Sequence, residues 1–279
     1  MCKRGSWVIY LLPALLSSFS IALILRWVER RDLPRLVVIA SNYATATFVA
    51  MGGPSRRSIA MPPDALFAGM GLGVMFLVGF MVFGLALRRE GMAPAVTMGR
   101  ISLIIPVLVA VAVFGESPSA IDVTALVLII VVLWSWEGGK KRIAPVLLVL
   151  FALFGCISAM LKWFAVVHPH VPESRFLTVV FGAALVGGCI VVAVRRQRLS
   201  GFAVGIGFAL GIPNYYSSFF LVKALEKMPA FVVFPVVDTG VIVLFALAGT
   251  FCFSERLGKR RLVSVTLAMV ALILLGISR

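Results

Sequence analysis

Two charged side chains stand inside long apolar runs of this 279-residue chain: Arg100 and Asp238. A charge at the centre of a lipid-embedded helix costs roughly 2.5–3.5 kcal/mol on insertion scales, so such a residue faces a cavity or an opposite charge. An arginine fork can hold a carboxylate or another anion bidentately. An aspartate can hold an amine or take up a coupling proton. Together they can flank the path of a small solute; the competing reading is a permanent structural ion pair.

Weaker polar signals surround them. Gly207, Gly211, Asn214 and Ser218 recur at helical spacing and share one face. The stretch Pro213-Asn214-Tyr215-Tyr216-Ser217-Ser218 is polar and aromatic for an apolar segment. Asn214 and Tyr215 are candidate substrate contacts, through hydrogen bonding and ring stacking. Asn42 and Tyr43, within Ser41-Asn42-Tyr43-Ala44-Thr45-Ala46-Thr47, are candidates of the same kind, with helix–helix hydrogen bonding as the alternative. Pro106 and Pro235 each remove a backbone hydrogen bond. With Gly240 they are expected to kink or interrupt their helices, as hinges or as packing kinks. Glu116 and Glu255 close their apolar runs, where capping or pairing with a nearby base such as Arg256 is expected. No metal and no cofactor is expected. His168 and His170 lie in one loop without further ligands, and Cys156, Cys189 and Cys252 sit in apolar runs as small hydrophobes. Gly69-x-Gly71-x-Gly73 has neither the preceding strand nor the following lysine of a phosphate loop.

The elements that position these residues are set by composition. Hydrophobic residues make up 61% of the chain and charged ones 13%, against about a quarter charged in soluble proteins. Apolar runs near 20 residues recur throughout, the length that crosses a hydrocarbon core of about 30 Å. Backbone groups in lipid must be satisfied within the segment, so these runs are helices. The expected class is an all-α, multi-pass integral membrane protein. About ten transmembrane helices are expected at 7–25, 36–52, 65–87, 93–114, 121–136, 143–161, 176–194, 201–222, 231–253 and 262–277. The first is read as a retained helix and not a cleaved signal, because its apolar run continues through Ile21 to Leu25. The net charge of +15 falls in clusters between runs, where it anchors helix ends at headgroups. No nucleic-acid partner is needed to explain it.

The two halves of the chain are similar. Phe114-Gly115-Glu116 matches Phe253-Ser254-Glu255 at an offset of 139, and Leu25-Arg26-Trp27 matches Leu161-Lys162-Trp163 at 136. Pro34 matches Pro172, and Arg56-Arg57 matches Arg195-Arg196. A duplicated five-helix unit, 1–139 and 140–279, has an odd number of spans. The second copy therefore enters from the opposite side, as in the inverted repeats of secondary transporters. Aligned on the terminal glutamates, Arg100 corresponds to Thr239, beside Asp238.

The run from Gly91 to Glu116, with Pro106 mid-helix and Phe-Gly-Glu at its end, resembles the fourth span of an EamA-type permease of the drug/metabolite transporter (DMT) superfamily. So does Ala224 to Glu255, with Pro235 and its terminal Phe-Ser-Glu. The resemblance implies ten helices in a 5+5 inverted repeat, alternating access, and movement of amino acids, related metabolites or drugs. It marks Glu116 and Glu255 as motif positions and puts both termini in the cytoplasm. Leaving out Arg100 and Lys162, which fall within or at the end of a span, the basic residues count 8 on the side of the termini and 16 on the other, which by the positive-inside rule puts the termini outside. The side is left open.

The expected function is a secondary transporter of amino-acid-like or drug-like solutes in the plasma (inner) membrane, proton-coupled or an exchanger, and not an enzyme. Partners expected are a small-molecule substrate, membrane lipid and a coupling proton; a homodimer is compatible with this. The alternatives are a flippase for lipids or amphipathic drugs, which an apolar, charge-poor path would favour, and a non-transporting sensor or assembly factor.

Overall fold

The computed structural model describes residues 8–29, 31, 33–53, 61–136, 143–253 and, near the C-terminus, 266, 267, 269–271 and 274. Helices carry it: α1 (Val8–Glu29), α2 (Arg35–Met51), α3 (Pro63–Glu90), α4 (Met92–Ile101), α5 (Ile104–Phe114), α6 (Ala120–Trp136), α7 (Pro145–Val167), α8 (Glu173–Val194), α9 (Gly201–Lys227) and α10 (Ala230–Phe253). Among the described residues there is no strand. Each apolar run expected before residue 254 is helical, the fourth in two pieces. The run expected at 262–277 lies mostly outside the described residues; those described within it are helical.

Among the described residues, four stretches are long and apolar enough to cross a membrane: Pro63–Glu90, Pro94–Phe114, Pro145–Val167 and Glu173–Val194. Their outward faces are apolar as well. Phe67 is 70%, Val113 69% and Val194 76% exposed, a surface that water would penalise and lipid would not.

The chain forms two compact units. Unit 1 comprises 1–80 and 163–226, and unit 2 comprises 81–162 and 227–279. Each draws helices from both halves of the sequence, so the compact units divide the chain differently from the five-helix repeats expected from the sequence.

In unit 1, α2, α3, α8 and α9 pack through small residues and an aromatic core. A Cβ at Gly73 of α3 would collide with the Val180 carbonyl of α8 and lie 2.8 Å from the Ala183 Cβ. Without it the two backbones approach closely, the usual device for helix association without a hydrophobic driving force. Phe164 and Phe176, both fully buried, stack at 3.7 Å.

In unit 2, Ala86 of α3, Ala95 and Met98 of α4, and Leu147 and Leu150 of α7 form a buried cluster. Phe83 and Phe154 stack beside it with ring centroids 6.0 Å apart. The entry to α6 is a reciprocal cap. The Ser119 amide and hydroxyl both donate to Asp122 Oδ2 at 2.8 Å, and the Asp122 amide donates back to Ser119 Oγ at 3.2 Å.

The prolines behave unequally. Before Pro106 the helix is interrupted at Ser102 and Leu103, between α4 and α5. The Leu103 amide donates to the Arg100 carbonyl and the Ile105 amide to the Ser102 carbonyl, both bonds tightened to three residues. The Ser102 hydroxyl takes the Gly99 carbonyl at 2.6 Å. By contrast α10 runs unbroken through Pro235 and Gly240, so of the kink or interruption expected there, the interruption is absent. Pro235 lies in the second turn of α10, so the only bond its missing N–H removes is one to the first turn.

Candidate functional site

Arg100 occupies the last turn of α4, at the edge of the break, and Asp238 sits in the second half of α10's apolar first stretch. The structure joins them: Arg100 Nη1 donates to Asp238 Oδ1. The side chains are 22% and 17% exposed, largely buried yet reachable. Next to Asp238, Thr239 is 1% exposed and its hydroxyl has no hydrogen-bond partner.

A second ion pair in unit 2 joins Glu116 to Lys162 at 2.6 Å. Gly115, at φ 66°, ends α5 in the left-handed conformation that glycine adopts without strain. The chain thereby turns, and the Glu116 amide returns to the Ala110 carbonyl at 3.1 Å. The Glu116 carboxylate then accepts the Ala230 amide at 2.8 and 3.1 Å, capping the start of α10. Its role is thus the expected capping and pairing, with Lys162 as the base. Lys162 is 3% exposed, and sequence reasoning set it aside as a residue at the end of a span. The available signal was a lone lysine within an apolar run, which must have a partner. Glu255 and Arg256 lie outside the described residues.

In unit 1 the expected polar residues lie deep. Asn42 and Tyr43 are 0% exposed, Asn214 5% and Tyr215 3%. The Tyr43 ring lies between Phe181, stacked at 6.2 Å, and Phe80, edge-on at 6.0 Å. Tyr215 stacks along its own helix on Phe219 at 5.6 Å. Gly207 and Gly211 bring α9 onto α2: a Cβ at Gly207 would lie 2.5 Å from Ser41 Cβ and 3.1 Å from the Asn42 nitrogen, and one at Gly211 2.5 Å from the Asn42 carbonyl oxygen. Among the described residues, neither amide atom of Asn42 has a hydrogen-bond partner, nor has the Tyr43 hydroxyl or the Asn214 amide nitrogen. Each buried orphan of this kind costs about 1–3 kcal/mol.

Sequence reasoning also passed over Glu173, which is 7% exposed at the start of α8, and placed Lys223 among the basic residues at helix ends. The two form an ion pair. Glu173 and Lys223 are 50 residues apart, and neither sits mid-run, so no local pattern announced them. His168 Nε2 lies 3.0 Å from Asp64 Oδ2, its ring against Trp163 at 5.0 Å. Among the described residues no group of three or more His, Cys, Asp or Glu is placed to hold a metal.

No known family profile matches the chain. An uncharacterized protein of Haemophilus influenzae is 24% identical over 281 residues, covering 94% of this chain and 95% of that one. A solved crystal structure superposes with a TM-score of 0.77 at 14% identity, covering 98% of this chain and 96% of its own. At that identity the likeness shows a shared fold.

Proposed function

We propose that this chain is a secondary transporter of small polar solutes in the plasma membrane, an EamA-type member of the DMT superfamily with ten spans in two inverted repeats. The observation that carries the reading is the Arg100–Asp238 pair at the break between α4 and α5. Both charges lie in apolar helices, where neither is tolerated alone. A zwitterionic, amino-acid-like solute can exchange partners with the pair: its carboxylate takes Arg100, its ammonium takes Asp238, and the charge balance is kept. A proton on Asp238 releases Arg100 by the same logic, which supplies a route for proton coupling. The broken helix supports movement, because the tightened bonds at Ser102 and Leu103 form a local weak point in an otherwise continuous ladder.

The test is untargeted mass spectrometry of metabolites inside and outside cells expressing wild type, Asp238→Asn or an empty vector. A solute redistributed by wild type alone is the expected result, and it identifies class and direction. No difference between wild type and empty vector, with the protein verified in the membrane, counts against transport. Equal redistribution by Asp238→Asn removes Asp238 from the mechanism.

A further inference from the structure

Unit 1 satisfies its polar groups where it can. The Ser18 and Ser217 hydroxyls bond at 2.7 Å, and the Thr47 hydroxyl donates to the Tyr43 carbonyl at 2.7 Å. Against that background, the orphans among the described residues include both amide atoms of Asn42 and the Asn214 amide nitrogen, on residues 0% and 5% exposed. Native structures leave few such groups, and each calls for an explanation.

Their placement supplies one. Val38, Ser41, Asn42, Thr45 and Ala46 form the face of α2 against which Gly207 and Gly211 lie. Asn214 follows Gly211 by three residues and Gly207 by seven, on the same face of α9. The two asparagines therefore belong to facing surfaces of one seam. Its closest approach is made at Gly207 and Gly211, where no side chain stands between the two backbones.

We propose that the α2–α9 seam opens to form a binding subsite for an uncharged hydrogen-bonding group, a hydroxyl or a carboxamide, held by Asn42 and Asn214. Asn42 offers a donor and an acceptor, and Asn214 a donor. Neither carries charge, so an ionic group would find no counter-ion between them. The proposal rests on the transport reading, which gives the seam its reason to open.

The experiment uses full-length protein in proteoliposomes with Ala46→Cys, a seam residue 0% exposed, and Ala184→Cys, equally buried on α8, as control. Modification by 2-sulfonatoethyl methanethiosulfonate is read by peptide mass, which separates the new thiol from native cysteines. Ala46→Cys is expected to react at least about tenfold faster than Ala184→Cys, because local opening precedes global unfolding. Xylitol or propionamide is expected to slow it about threefold by binding, and glycine betaine to leave it unchanged. Equal rates at the two positions overturn the opening; equal protection by glycine betaine overturns the ligand class. A second measurement tests the orphans without a thiol. Asn42→Leu is expected to melt above wild type and to lose any rise in melting midpoint produced by xylitol or propionamide. A lower midpoint with that rise intact overturns the site. Both readouts are made without a flux assay, so the subsite can stand where metabolite redistribution fails, and fall where redistribution succeeds.

Discussion

Two ion pairs in unit 2 differ in how they are held. Glu116 is fixed from three directions: by Lys162 at 2.6 Å, by the Ala230 amide, and by the left-handed turn at Gly115. Its partner is 4% exposed in its side chain, and removing either member would leave a buried charge or an uncapped helix. Arg100 and Asp238 are joined to each other at a break in the helix, with side chains 22% and 17% exposed. On the proposed transport mechanism, the first pair stays and the second is exchanged. Charge inside an apolar chain therefore does not by itself mark a functional site; the number of groups that hold each member separates the two roles.

The largest expected effect falls on the fixed pair. Lys162→Met strands the Glu116 carboxylate and should cost about 3–5 kcal/mol, read as loss of folded protein from the membrane or a steep drop in melting midpoint in detergent. Glu116→Gln should be milder than Glu116→Ala, because the amide oxygen can still accept the Ala230 N–H. The exchangeable pair should respond in the opposite sense. Asp238→Asn keeps an acceptor for Arg100 and should lose solute redistribution with less than about half the stability loss of Lys162→Met. If the two variants melt equally low, both pairs are structural and the contrast between them collapses.

The prolines sharpen the same comparison at smaller scale. Pro106→Ala should change stability by no more than about 1 kcal/mol while reducing transport, since it lets the helix close across Ser102 and Leu103. Pro235→Ala, in a helix already continuous, should leave transport near wild type. Equal losses from both would mean that the break at Ser102 is not the element that moves. The smallest effect belongs to a site with no functional role: Ser119→Ala removes one arm of the α6 cap and should cost about 1 kcal/mol without affecting transport.

The helices could be read from residue order because the forces that make them act locally. An apolar run must satisfy its own backbone in lipid, so 65–87 became α3 and 176–194 lies within α8, with ends shifted by a few residues where polar ends continue the helix. Arg100 and Asp238 stood out for the same reason, as charges within such runs. Tertiary structure decided the partners. Lys162 reaches Glu116 across 46 residues and Glu173 meets Lys223 across 50, distances at which composition and periodicity carry no information. It also decided that Pro106 breaks its helix while Pro235 does not, since the cost of a missing N–H depends on where in the helix it falls and on what else can take the freed carbonyl. The sealing of Asn42 and Asn214 is of the same kind: residue types set what each side chain can bond, and only packing determines whether a partner is within reach.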